Sequence, residues 1–288
     1  MKLKKIKLLA LSLLVASSFS ACSKADKNNQ EKKTLSIKGS DTMVHLASTW
    51  AEKYMSAHPG MQISVTGGGS GTGIAALLNG TTDLCAASRK IKKKEIKIAS
   101  EKGILPVEHV VGLDGIAVII NPANPINELT LEQLRLIFTG QLENWEKVGG
   151  KKENVLILSR ESNSGTYVFF QKKVLNKEDY SPKARLMPAS SSVVQTVSAD
   201  VNSIGYVGLA YALEAGDKVK ILNVKNDDNS PAIAPSQSTV KDGSYSVARP
   251  LHFYTKGDPQ GLIKSFLDFT LSTTGQAIVK EVGYVPSI

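Results

Sequence analysis

QISVTGGGSGTGIAALLN (Gln62–Asn79) contains the three parts of an α/β unit in immediate succession. QISVT alternates β-branched Ile63 and Val65 with polar residues, the period of a half-buried strand. GIAALLN reads as a short helix stopped at Asn79-Gly80. Between them, Gly67 to Gly73 carry no charge and nothing larger than threonine. Glycine permits left-handed backbone and close approach of other groups, so this loop suits a place where the main chain meets something small.

The same arrangement occurs twice more. TLSIK (Thr34–Lys38) leads through GSDT (Gly39–Thr42) into a helix over Thr42–Ala57, with Met43, Leu46, Ala47, Trp50 and Tyr54 at helical spacing. NVLILS (Asn154–Ser159) leads through RESNSGT (Arg160–Thr166) into GTYVFFQKKVL (Gly165–Leu175). Each repeat sets hydroxyls beside the unpaired N–H groups and partial positive charge of a helix start, a combination that holds oxyanions. One such serine or threonine is ordinarily a helix cap. Three of them at strand C-termini can meet at one sheet edge, where ligands bind in open α/β sheets.

Strands and helices alternate along the rest of the chain, which predicts mostly parallel sheets flanked by helices. LTLEQLRLIF (Leu129–Phe138) reads as a helix with a capping box from Thr130 to Gln133 and Gly140 behind it. Two long extended stretches, Leu113–Ile120 and Ser246–Thr255, are candidate crossings between lobes. They divide the chain into a first lobe of residues 34–114 with 246–288 and a second of 115–245.

Other chemistries fail on spacing. No lysine follows the glycines, so they form no P-loop, and neither G-x-G-x-x-G nor G-x-S-x-G is met. His45, His58, His109 and His252 stand in no metal spacing. His45, three residues past Thr42, is the nearest to a general base and has no motif around it. No catalytic residue, metal or cofactor is assigned.

The N-terminus has a basic start (Lys2, Lys4, Lys5, Lys7), the apolar run LLALSLLVA (Leu8–Ala16) and small residues before Cys22. This reads as a signal peptide over residues 1–21, with Cys22 as a lipidation site and residues 22–33 as a polar tether. Beyond the signal, 31 basic and 26 acidic residues remain. That mild excess suits a small anion or an anionic membrane surface, and the scattered lysines do not make a nucleic-acid footprint. KIKKKEIK (Lys90–Lys97) reads as a solvated helical face. With Cys22 lipidated, Cys85 is left unpaired in an apolar setting, as a small buried hydrophobe.

Taken together, GSDT, GGGSGTGIAALLNGTTDLCAASR, RESNSGTYVFF, SIGYVGLAY, ARPLHFYTKG and FTLSTTGQAIVKEVGYVPS resemble, in content and order, the phosphate-binding component of bacterial phosphate ABC transporters, a periplasmic-binding-protein family. The resemblance covers nearly all of the chain after the leader. It implies a type II-like fold of two hinge-linked α/β lobes, phosphate held between them, and delivery to a membrane permease by a lipid-anchored, extracytoplasmic monomer. The ligand set it implies is Ser40, Thr42 and the backbone around Met43, then Ser70, then Arg160, Ser164, Gly165 and Thr166. The family often has an aspartate near the end of D-x-x-A-S that accepts the phosphate proton. Here that position falls on Ser88, followed by Arg89 as a candidate second cation, and Asp41 is the candidate replacement acceptor. Remaining alternatives are a receptor for sulfate or molybdate, a phosphate-ester hydrolase using Ser70 or Ser164, and an adhesion or signalling lipoprotein.

Overall fold

A computed structural model describes residues 33–287. The expected signal peptide, Cys22 and all but the last residue of the tether lie outside the described residues. The chain runs β1 (Thr34–Gly39), α1 (Val44–Ala57), β2 (Gln62–Thr66), α2 (Ser70–Leu78), β3 (Leu84–Ala87), α3 (Lys93–Glu101) and the long β4 (Pro106–Ile120). Next come β5 (Glu128–Thr130), α4 (Leu131–Thr139), β6 (Leu156–Arg160), α5 (Gly165–Lys173), β7 (Arg185–Met187), α6 (Ser190–Ala199), β8 (Ser203–Gly208) and α7 (Leu209–Ala215). β9 (Lys220–Ile221), β10 (Asn223–Lys225) and α8 (Gln237–Lys241) lead to β11 (Ala248–Lys256), followed by α9 (Gly261–Leu271) and α10 (Thr273–Glu281).

The strand order is β2-β1-β3-β11-β4-β8-β6-β7, with β9 also on β4 and a separate β5–β10 pair. β1 pairs parallel with β2 and β3, and β6 pairs parallel with β7 and β8. β11 and β4 run antiparallel between these two groups. Over Pro106–Gly115, β4 pairs with β11; from Ile116 to Ile120 it pairs with β8. A register shift between Leu251 and His252 leaves Val111 unmatched, a bulge of the kind that bends a strand.

Two large apolar clusters form the main cores. In the first, α1 buries Leu46, Trp50 and Tyr54 against Phe253 and Phe266, and the Trp50 indole N–H donates to the Gly275 carbonyl at 2.8 Å. In the second, Ile116–Ile120 pack with Phe138, Phe170 and Tyr206, the last two stacked with ring centroids 4.0 Å apart. Burying an apolar side chain of this size contributes about 1.5–3 kcal/mol. The capping box of α4 forms as its spacing predicts: Gln133 N–H donates to Thr130 Oγ1 at 3.1 Å, and Thr130 N–H to Gln133 Oε1 at 2.9 Å. Gly140 closes that helix at φ 79°.

α2 begins at Ser70, three residues before the helix expected from Gly73. Glycine is a poor helix former, and packing against β1 overrides that preference. A Cβ on Gly73 would lie 2.5 Å from Gly39 Cα and from the Lys38 carbonyl oxygen. The helix can lie this close to β1 because that position has no side chain.

Candidate oxyanion-binding site

The three hydroxyl-bearing helix starts do meet. Ser40 Oγ donates to Ser88 Oγ at 2.9 Å, and Ser88 Oγ lies 3.3 Å from Ser70 Oγ. The Ser88 N–H also donates to Ser70 Oγ, at 3.0 Å. From the start of α5, Thr166 Oγ1 reaches Thr42 Oγ1 at 2.9 Å. Gly165 is packed so closely that a Cβ there would stand 2.4 Å from Ser70 Oγ and 2.5 Å from Ser88 Oγ. Ser40, Thr42, Ser70, Ser88, Ser164 and Thr166 are all buried. As opening residues of α2 and α5, Ser70 and Gly165 carry amides that the helices themselves leave unpaired.

The glycine loop lets the segment before α2 meet the segment before α5. Gly68 and Gly69 adopt φ 103° and 94°, conformations that side chains disfavour. The Gly71 N–H donates to the Asn163 carbonyl at 2.9 Å, while the Asn163 side-chain amide donates to the Gly68 carbonyl at 3.0 Å. A Cβ on Gly69 would come within 2.9 Å of that Asn163 carbonyl oxygen.

Capping and ligand duties separate. Ser164 does cap its helix, accepting from the Thr166 and Tyr167 amides at 3.1 and 3.4 Å. Ser40 and Gly69, at the corresponding positions, make no side-chain cap bond. The hydroxyls of Ser40 and Ser70 both bond to Ser88, while that of Thr42 bonds to Thr166 and accepts from Arg249.

Several expected ligand residues stand elsewhere. Arg89 grips Glu95 with two nitrogens, at 2.9 and 2.8 Å, and is committed to that carboxylate rather than to the hydroxyl cluster. The Met43 side chain is in the first of the two cores, and its amide donates to the Ser40 carbonyl at 3.0 Å within the turn. Arg160 donates to the Met187 and Pro188 carbonyls and to Ser190 Oγ at 3.2, 2.8 and 3.1 Å. Its Nη1 also lies 3.3 Å from Asp41 Oδ2. Asp41 in turn accepts from the Ser190 amide at 2.7 Å, so the carboxylate expected to take a ligand proton is engaged by Arg160 and the start of α6.

The cation that does touch the hydroxyls was not singled out from the sequence. Arg249 Nη2 donates to Thr166 Oγ1 at 3.0 Å and to Thr42 Oγ1 at 3.3 Å. The same guanidinium grips Asp114 Oδ2 through Nη2 at 3.0 Å and Nε at 3.3 Å, and both residues are buried. Burial pushes the Asp114 carboxyl up and Arg249 down, each opposed by the charge of the other. An arginine inside the apolar strand VARPLHFYT was the available signal, since a buried cation needs partners.

A family model for the PBP superfamily domain matches residues 24–274. Phosphate-binding protein PstS of Pseudomonas aeruginosa is 33% identical over 269 residues, covering 88% of this chain and 82% of that protein. Its counterpart in Bacillus subtilis is 30% identical over 295 residues, covering 99% of this chain and 94% of the relative. The chain belongs to the PBP superfamily, in the family of the PstS phosphate-binding proteins. A PBP-superfamily structure with the same architecture is that of a putative phosphate ABC transporter substrate-binding protein from Clostridium perfringens with bound phosphate. It superposes with a TM-score of 0.80 at 29% identity, covering 88% of this chain and all of that one. The PBP fold thus brings the Ser40, Ser70 and Gly165 segments together from chain positions more than a hundred residues apart at the extremes.

Proposed function

We propose that this protein binds inorganic phosphate in the hydroxyl cradle between its lobes and delivers it to the permease of an ABC transporter. The observation that carries this reading is two buried hydroxyl groupings, Ser40, Ser70 and Ser88 in one and Thr42 and Thr166 against Arg249 in the other, joined where Gly165 packs on Ser70 and Ser88. Hydroxyls that bond one another can turn their protons onto an oxyanion, and helix-start amides add fixed donors. Hydrogen bonds to a charged group are each worth about 1.5–3 kcal/mol. Ser164 positions the start of α5 and, with Gly165, brings its amides to the cradle.

Arg249 is the cradle's cation in this reading, with Asp114 balancing it. Arg160 acts through Asp41, holding the lobes in register. No carboxylate hydrogen-bonds to the cradle hydroxyls among the described residues, so selection for a protonated oxyanion falls to hydroxyl oxygens, which both accept and donate. Ser70 and Ser164 bond to Ser88 and to helix amides rather than to a histidine or carboxylate, which favours a receptor over a hydrolase.

The lobes in this reading are residues 34–114 with 246–288, and 115–245. The switch of β4 from β11 to β8 at Gly115/Ile116 supports that division. Lobe closure on the ligand is then a hinge motion about β4 and β11. The leader and Cys22 support lipid anchoring outside the cytoplasm, and among the described residues no helix is long and apolar enough to cross a membrane. Calorimetric titration of the purified protein with phosphate tests the core of this. One phosphate per chain is expected, with affinity lost in Thr42→Val and Thr166→Val. Absence of binding to the unaltered protein overturns the reading.

A further inference from the structure

The outer face of α3 carries charge and apolar surface that nothing in the fold covers. At 3.6 residues per turn, Lys93, Lys97 and Lys94 share that face, all exposed, with Ile96 on one flank and Ile98 on the other. These isoleucines are 52% and 43% exposed, and Leu105, just past the helix end, is 74% exposed. The Leu105 carbonyl accepts from the Gly257 amide at 2.8 Å, so a fixed backbone holds that side chain outward. Glu101 is the carboxylate on the same face, 4.0 Å from Lys97. Glu95 is turned inward to Arg89 and offsets none of the outer lysines. Single exposed aliphatic residues are ordinary; three of them around three lysines on one short segment are not.

The strand register gives this face a place in the molecule. Lys38 pairs with Cys85, Cys85 with Tyr254 and Tyr254 with Glu108, one row across β1, β3, β11 and β4. With β11 antiparallel to both of its neighbours, β4 runs the same way as β1. Leu105 precedes Glu108 by as many residues as Leu35 precedes Lys38, so Leu105 lies at the end of the sheet where the chain enters β1 from Lys33. Ser40 and Ser88 follow the opposite ends of β1 and β3. The exposed leucine is thus remote from the cradle and close to where the lipid site and tether read from the sequence join the body.

We propose that the outer face of α3, with Leu105, docks on the anionic headgroup surface of a bilayer. Lys93, Lys94 and Lys97 meet the headgroup phosphates, and Ile96, Ile98 and Leu105 reach the boundary with the acyl chains. Lysine is depleted from protein interfaces, where its strongly hydrated ammonium would have to shed water. At a bilayer the ammonium stays in the headgroup layer while its stem and the neighbouring aliphatic groups lie deeper. The surface is separate from the cradle, so its failure leaves the receptor reading untouched.

The test uses the chain freed of residues 1–22, which keeps every described residue and needs no anchor. Leu105→Trp supplies a reporter, since Trp50 and Trp145 are buried. Vesicles of brominated phosphatidylglycerol are expected to bind this variant and quench the introduced tryptophan. Brominated phosphatidylcholine should do neither, and high salt should release the protein. Adding Lys93→Gln, Lys94→Gln and Lys97→Gln should weaken binding by about a hundredfold, the joint worth of three lysines at an anionic surface. Thermal unfolding and phosphate affinity should not change in that variant. The proposal is overturned if the anionic vesicles do not bind, if they bind without quenching, or if the three substitutions leave binding unaltered. Soluble polyglutamate bound as tightly as the vesicles would assign the lysines to an acidic polypeptide and overturn it too.

Discussion

Arg160 Nη1 lies 3.3 Å from Asp41 Oδ2, and this pair ties the turn after β1 to the end of β6. The Ser190 amide donates to the same carboxylate oxygen at 2.7 Å, from the start of α6. Asp41 therefore fastens the turn after β1 to both the end of β6 and the start of α6. The role expected for it from the sequence, accepting a proton from the ligand, and the role its contacts describe lead to different measurements.

Asp41→Asn is expected to weaken phosphate and sulfate together, by about tenfold or 1.4 kcal/mol, because it loosens a closed form that either anion would require. The ratio of the two affinities should stay within about twofold. Calorimetry with both anions on the same preparation reads this directly. A loss confined to phosphate would restore Asp41 as the proton acceptor.

Gly165→Ala separates binding from folding. Gly165 is the first residue of α5 with no positive φ to preserve, so its local backbone accepts alanine. In the structure, however, its Cβ would fall on the Ser70 and Ser88 hydroxyls, at 2.4 and 2.5 Å. Those side chains can rotate away only by leaving the cradle. Phosphate affinity should drop at least a hundredfold, about 2.7 kcal/mol, with the thermal midpoint unchanged. Retained affinity would place the ligand away from α5.

The sequence made the three helix starts legible because each is a local signal: a strand, glycines with positive φ such as Gly68 and Gly69, hydroxyls, then a helix. Their convergence followed from sheet topology, which the alternation of elements implied. The Arg249–Asp114 pair was not legible. These residues face each other across the antiparallel register of β11 on β4, 135 positions apart, and one sequence carries no record of register. Arg89 had the opposite difficulty. Its partner Glu95 is six residues on, but arginine beside the conspicuous Ser88 position suited a ligand as well as an ion pair.

Cys85 should behave as an inert thiol in the folded protein. It is fully buried under α2, and burial pushes its pKa well above the ordinary value, partly opposed by Arg89. Only the thiolate reacts readily. A disulfide reagent at pH 8 should modify Cys85 at the rate of unfolding and promptly once the protein is in urea. Rapid labelling under native conditions would show that the α2–β3 packing opens locally.

Arg249→Met should destabilise the protein in a pH-dependent way. Asp114 is wholly buried, and burial pushes its carboxyl up while Arg249 pulls it back. Without Arg249 the upward push is unopposed, so the folded state holds the Asp114 proton more tightly than the unfolded chain does. Such a group leaves stability intact below the ordinary aspartate value of about 3.9. Stability is lost as pH rises through the elevated folded value, because the unfolded chain then releases the proton more easily. At pH 8 the variant should lose about 3–5 kcal/mol, the usual result of orphaning one member of a buried pair. The loss should shrink toward pH 5. Urea unfolding at the two pH values gives the comparison. A penalty that does not change with pH would mean that Arg249 matters through its packing on Phe169, whose ring centroid is 5.5 Å from the guanidinium carbon, rather than as the counter-ion of Asp114.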